Sequence, residues 1–473
     1  MSRQRAASTP DRLRIAETLA RRVAPGRALS ALSVLGLFAA PVRAHGGPGI
    51  TAGEVDGPAW LVPLVAAAVV AASLLLTAVL TDRDLRSAAD RRRLPVPGGA
   101  KLRRWGGRVG GALGVLGLAV VVAGGLAGPP EAARNVAVLL VWVLWWVGLT
   151  ASTYLVGNAW PALDPFGRLA ALLPTAERLS LPGWVGRWPA VGGLLLLVWL
   201  EIVTSVAAAP RQLAALVGAY LAATLVGSLL FGRPSWRRQF DPIAGVFELF
   251  GRVAPIQRSE DGLTLAAPGA ALARTDADAT TRASEVGFVL ALLWVTLFDG
   301  VVATPGWQSV ATPVVRAGLP AELTYFAALL GGYALLFGAY WLASRQSASL
   351  STARAAAFAP ALVLPAAGYH FGHFLPYLLT QLPASVVVLL NPLSPPPTLP
   401  VLGLPGWIGW VGPLAVLAGH LLGVRATYAR AGELFPREER SVRGQLPYVA
   451  VMVLYSLAAL WLLAQPTIAT PLV

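Results

Sequence analysis

The amino-acid sequence predicts an all-α fold, a polytopic transmembrane helix bundle of about ten spans behind an N-terminal signal segment, and three observations carry that reading. Of 473 residues, 56% are hydrophobic and 13% charged, whereas a soluble globular domain carries roughly 25% charged residues. The apolar residues gather in runs of about twenty, the length at which a helix crosses some 30 Å of hydrocarbon, and raise the mean hydropathy to +0.64. The basic residues lie between these runs and favour alternate loops.

Residues 1–27 hold seven arginines, residues 28–40 are apolar (ALSALSVLGLFAA), and Val42, Arg43 and Ala44 end in a small-x-small pattern. This is the layout of a secretory leader, residues 1–44. Cleavage after Ala44 makes His45 the first mature residue; a retained leader acting as an eleventh helix is the alternative.

The single membrane domain, 45–473, then shows apolar segments near 59–80, 110–128, 135–156, 189–208, 211–231, 285–304, 322–343, 355–380, 409–429 and 446–465. If His45 starts outside, the inside loops hold 26 lysines and arginines and the outside segments only Arg134, Arg211 and Arg316. The positive-inside rule thus puts both mature termini outside a cell membrane. Topology therefore accounts for the formal charge of +14, and nucleic acid is not a partner this charge requires. The second segment is the weakest by pattern, because residues 106–128 are rich in glycine.

The inside loop 232–284 opens on an amphipathic piece (FDPIAGVFELFGRVAP) and continues as polar, Ala-rich sequence that reads as flexible. Residues 381–410 carry NPLSPPPTLP and read as a non-helical, Pro-rich outer cap. A weak internal echo links LDPFGRLAALLP (Asp164, Pro165, Gly167, Arg168) with FDPIAGVFELFGR (Asp241, Pro242, Gly251, Arg252). Asp before Pro favours a turn and a helix start, so two capped interfacial helices explain the echo without a functional repeat.

A titratable side chain in a spanning helix is costly unless it faces protein or water, which makes each one a candidate site residue. Here they are Glu201, Asp299, His370, His373 and His420, all falling in one stratum of the predicted bundle. His370, His373, Tyr377 and Thr380 repeat at helical spacing and share one face. Glu201, Thr204 and Ser205 share another, and Thr296 precedes Asp299 by one turn. His370 and His373, three apart, could chelate a divalent metal such as zinc or copper, with Asp299, Glu201 and His420 as catalytic candidates around it. A free amino-terminal His45 would bind copper through its amine and imidazole. A lone histidine in a helix is, against this, more often a hydrogen-bonded structural residue. The absence of cysteine excludes disulfides, thiolate zinc, iron–sulfur clusters and c-type haem.

The leader ending in AHG, the segment YLVGNAWPALDPFG (Tyr154 to Gly167) and the helix YHFGHFLPYLL (Tyr369 to Leu379) resemble the fenitrothion hydrolase-like membrane proteins of bacteria and haloarchaea. The resemblance spans most of the mature chain in layout, through short motifs. It implies cleavage of an organophosphate ester, with an apolar small molecule as substrate in an outward-facing intramembrane pocket. Metal-assisted hydrolysis is compatible with the residues, because a metal held by His370 and His373 would lower the pKa of a bound water. Two other classes fit them as well: a metal- or proton-handling permease using mid-membrane Asp, Glu and His, and a b-type haem or copper redox protein with His370 or His373 and His420 as axial ligands. The lipid bilayer is a partner in every case, and a second membrane subunit remains open.

Overall fold

The computed structural model describes residues 58, 60–79, 93–174, 177–272, 283–346, 356–434 and 438–466. His45 and the leader lie outside these residues. The described residues form fifteen α-helices: α1 Leu61–Val79, α2 Gly99–Ala127, α3 Val136–Leu155, α4 Trp160–Leu163, α5 Pro165–Ala170, α6 Trp188–Val203, α7 Pro210–Phe231, α8 Arg233–Gln239, α9 Pro242–Gly251, α10 Ala283–Val302, α11 Pro305–Arg316, α12 Ala321–Gln346, α13 Val363–Leu390, α14 Val411–Leu434 and α15 Glu438–Leu463. It is an all-α, multi-pass membrane protein.

Eight helices among the described residues are long and apolar enough to cross a bilayer: α2, α3, α7, α10, α12, α13, α14 and α15. Among the described residues the expected count of ten therefore becomes eight, because the apolar stretches Leu61–Leu76 of α1 and Trp188–Val203 of α6 are shorter. Helix α6 stops at Val203, where Thr204 turns extended; its hydroxyl donates to the Leu200 carbonyl (2.6 Å) and accepts from the Val206 amide (3.2 Å). Those bonds satisfy backbone groups that the broken helix frees. Thr204 and Ser205 accordingly leave the helical face that they were expected to share with Glu201.

Other boundaries also move. Helix α2 starts eleven residues before the expected segment and takes in Lys101, Arg103, Arg104 and Arg108. Helix α13 runs on to Leu390 through Pro376 and Pro383, so the non-helical Pro-rich segment begins at Asn391 and not at residue 381. The sequence QLPASVVVLL continues the apolar helix, and Ser385 returns a hydrogen bond to the Gln381 carbonyl at 2.8 Å. The stretch from residue 232 to residue 272 is largely regular. After α9, strands β2 (Ile256–Ser259) and β3 (Gly262–Leu265) form an antiparallel hairpin, and β3 also pairs with β1 (Leu94–Pro95) ahead of α2.

Helix α3 is unusual. Leu139–Leu149 is wound as a π-helix of eleven residues, far longer than the single-turn bulges in which this geometry normally occurs. It packs against α13 and carries Trp142, Trp145 and Trp146. One large apolar core joins α1, α6, α10, α12, α13, α14 and α15; a second joins α2, α3 and α7 to α13. Helix α3 lies between the two sets.

Candidate functional site

Helix α13 is pressed against α14 by glycine. A Cβ on Gly368 would collide with the Ala415 carbonyl, one on Gly372 with the Gly412 backbone, and one on Gly419 of α14 with the Leu364 carbonyl. Small residues of this kind let helix backbones approach in membranes, where apolar side chains gain little by leaving lipid. With Gly368 and Gly372 committed to α14, the face bearing His370, His373, Tyr377 and Thr380 turns to the other side. All four are buried there, at 0%, 4%, 1% and 1% exposure.

The two histidines take different partners. His373 Nε2 stands 3.5 Å from Asp299 Oδ2 on α10, and Tyr369 stacks on its ring with centroids 5.3 Å apart. Asp299 keeps 32% of its side chain exposed, so the pair opens to space on the aspartate side. His370 sits among Trp146, Tyr154, Phe250 and Phe374 at centroid distances of 4.9 to 5.8 Å. Its Nδ1 is 3.1 Å from the Tyr154 hydroxyl, and its buried Nε2 has no hydrogen-bond partner among the described residues. Tyr154 and Trp146 come from α3, whose π-helical stretch directs Trp146 to His370 while neighbouring Trp145 packs on Trp160 and Phe247, at 5.8 and 5.7 Å.

Glu201 lies in electrostatic reach of Asp299 and Tyr377. Electrostatic contacts run from Glu201 of α6 to Asp299 of α10 and Tyr377 of α13, and from Asp299 to Tyr369 and His370. Glu201 also borders a cavity of about 450 Å³ walled by α2, α3, α6, α7 and α9, a size that suits a drug-like ligand. Its walls are Leu, Val, Trp and Phe, and Glu201 is its only acidic or basic lining residue among those described.

Tyr220, Pro242 and Ile243 also border this cavity. The Tyr220 hydroxyl donates to Asp241 Oδ1 at 2.6 Å, and the same oxygen caps α9 by accepting from the Ala244 amide at 2.8 Å. Asp164 caps α5 in the same manner through the Gly167 amide at 3.0 Å. The sequence echo thus resolves into two ordinary Asp-Pro caps, and the two carboxyls sense each other's charge. Burial raises both, Asp241 to about 6. Behind them Glu248 binds Arg187 at 2.5 Å and Arg252 at 2.6 Å. Burial pushes the Glu248 carboxyl up, but the two guanidiniums outweigh it and hold the group below the ordinary glutamate value.

His420 is held elsewhere. Ser73 of α1 lies 2.8 Å from its Nε2, and Ser456 of α15 lies 2.9 Å from its Nδ1. Both ring nitrogens of His420 are thus engaged by hydroxyls, from Ser73 and Ser456. The expected metal shell does not assemble: no group of three or more His, Asp or Glu side chains among the described residues is arranged to hold an ion. His373 faces Asp299 and His370 faces Tyr154, while both rings pack on Phe374, at 4.7 and 4.9 Å.

Thr296 bonds Tyr455 at 3.0 Å. Sequence spacing did not single out Trp146 or Tyr220. The run WVLWWVGL in α3 was the visible signal for Trp146; the Tyr220 bond depends on tertiary contacts between α7 and α9.

Comparison of the chain with protein-family models, with curated proteins and with solved structures finds no match.

Proposed function

We propose that this membrane protein is a carrier that admits an apolar or amphipathic small molecule into the cavity between α2, α3, α6, α7 and α9, and couples its passage to protons held by Glu201, Asp299 and His373. One observation carries the reading: Glu201 lines an apolar cavity and lies in electrostatic reach of Asp299, which faces His373 at 3.5 Å. Ionisable groups inside a helix bundle are expensive, and proton relays in pumps and transporters are a recurrent use of them. The broken end of α6 next to Glu201 suits it too, since interrupted helices line transporter sites. In this reading the arginine-rich loops face the cytoplasm and both mature termini lie outside a cell membrane.

The test uses reconstituted vesicles loaded with a pH-sensitive dye. Addition of an apolar probe such as N-phenyl-1-naphthylamine is expected to change the internal pH with the wild-type protein and not with Asp299→Asn. Proton movement that is the same with and without the protein, or unaffected by Asp299→Asn, rejects the carrier.

A second reading draws on the 3.5 Å Asp299–His373 pair. An imidazole oriented by a carboxylate is a competent general base, and it could activate water against the ester bond that the family resemblance implies. Release of nitrophenolate from a nitrophenyl phosphotriester by the purified protein, lost in His373→Ala, supports it. No release above the protein-free rate removes it.

A further inference from the structure

The cavity has more specific chemistry than apolar volume alone. Trp142, Trp145, Trp146, Trp160, Tyr220 and Phe247 contribute to its wall, and aromatic faces carry negative quadrupole potential that attracts cations. Trp160 and Phe247 are stacked at 4.8 Å with planes 13° apart, and Trp145 leans on both. These rings form a packed wall rather than scattered side chains. Glu201 is the single carboxyl group on the lining, and no hydrogen bond or ion pair engages it among the described residues.

A neutral guest gives Glu201 no reason to release the proton it holds in an apolar setting. An anionic guest would meet like charge wherever that proton is released, in a low-dielectric setting where repulsion is strongest. A lipophilic cation answers both parts of the wall: it takes the place of the proton on the Glu201 carboxylate, and its apolar bulk is taken up by the aromatic rings.

We infer that the cavity is a binding site for lipophilic organic cations, with Glu201 as the counter-ion and the tryptophans of α3 as the aromatic wall. This rests on the reading that the cavity receives a small molecule, and it names the class.

The test compares two ions of nearly equal size and shape but opposite charge. Tetraphenylphosphonium and tetraphenylborate are titrated against the full-length protein in lipid nanodiscs by tryptophan fluorescence quenching, with empty nanodiscs subtracted. Tetraphenylphosphonium is expected to bind saturably and tetraphenylborate is not. Glu201→Gln removes the charge at nearly constant volume and is expected to weaken tetraphenylphosphonium on the order of thirtyfold or more. Equal affinity for the two ions, or a folded Glu201→Gln protein that keeps wild-type affinity, overturns the inference. If that variant does not fold, the comparison of the two ions on the wild-type protein decides alone. Tetraphenylphosphonium that binds but is never carried into vesicles defeats the carrier and leaves the cation site standing. Proton-coupled movement of the neutral naphthylamine by a protein that does not bind tetraphenylphosphonium does the reverse.

Discussion

Tyr154→Phe removes a single oxygen atom, and its consequence can be worked out from the surroundings of that atom. The hydroxyl is the partner of His370 Nδ1 at 3.1 Å, the imidazole is fully buried, and Nε2 already has no hydrogen bond among the described residues. After the substitution neither ring nitrogen has a partner in that box of aromatic rings. Leaving a buried polar group unsatisfied costs about 1–3 kcal/mol, and hydrogen bonds measured inside membrane bundles lie at the lower end, near 0.6 with a maximum of about 1.7. The expected loss is therefore about 1–2 kcal/mol, a shift of roughly five- to thirtyfold in the unfolding equilibrium. Because that cost comes from the orphaned imidazole, removing both polar groups should restore much of it. Reversible unfolding in mixed micelles with increasing sodium dodecyl sulfate measures all three proteins. Tyr154→Phe should be destabilised, and Tyr154→Phe with His370→Leu should lie closer to wild type than the sum of the single changes. A single variant as stable as wild type, or strictly additive effects, would refute the reasoning.

Other perturbations follow from the same contacts. Ser456→Ala deprives His420 Nδ1 of its 2.9 Å partner and should cost about 1–2 kcal/mol in the same unfolding assay, while proton-coupled transport stays at the wild-type level. Gly372→Leu drives a side chain into the Gly412 backbone; it should separate α13 from α14, lose about 1–3 kcal/mol or more, and reduce the folded yield. Asp241 titrates near 6, above its ordinary value of 3.8, because of burial. Its proton is thus bound more tightly in the folded chain, so its favourable contribution is complete below about pH 4 and disappears as pH rises through 6. Relative to Asp241→Asn, which keeps a capping side chain, the wild-type protein should become steadily less stable between pH 4 and 6.5. A flat or opposite trend in paired unfolding curves would contradict this.

Much of the architecture was legible because the bilayer imposes a simple length and polarity rule on each segment. Where the chain departs from expectation, local hydrogen bonding or tertiary packing overrides that rule. Thr204 ends α6 by bonding its own turn, and α13 passes Pro383 because apolar residues on either side still favour a helix. The shared face of His370 and His373 followed from spacing, whereas the division of the two rings between Tyr154 and Asp299 did not. That division depends on the glycine contact with α14 and on the π-helical winding of α3, and neither carries a periodic signal. His420 was indistinguishable from the other histidines by sequence. Only its neighbours Ser73 and Ser456, far away in the chain, mark it as structural.

The account depends most on the acids of α6 and α10 meeting beside one cavity. Since the chain contains no cysteine, Glu201→Cys and Asp299→Cys can be introduced together and treated with a short bis-thiosulfonate in native membranes. The expected result is an intramolecular cross-link between the two introduced thiols. Two thiols that each react with a monofunctional reagent, yet are never bridged, would mean that the carboxylates face different surroundings, and would contradict the account.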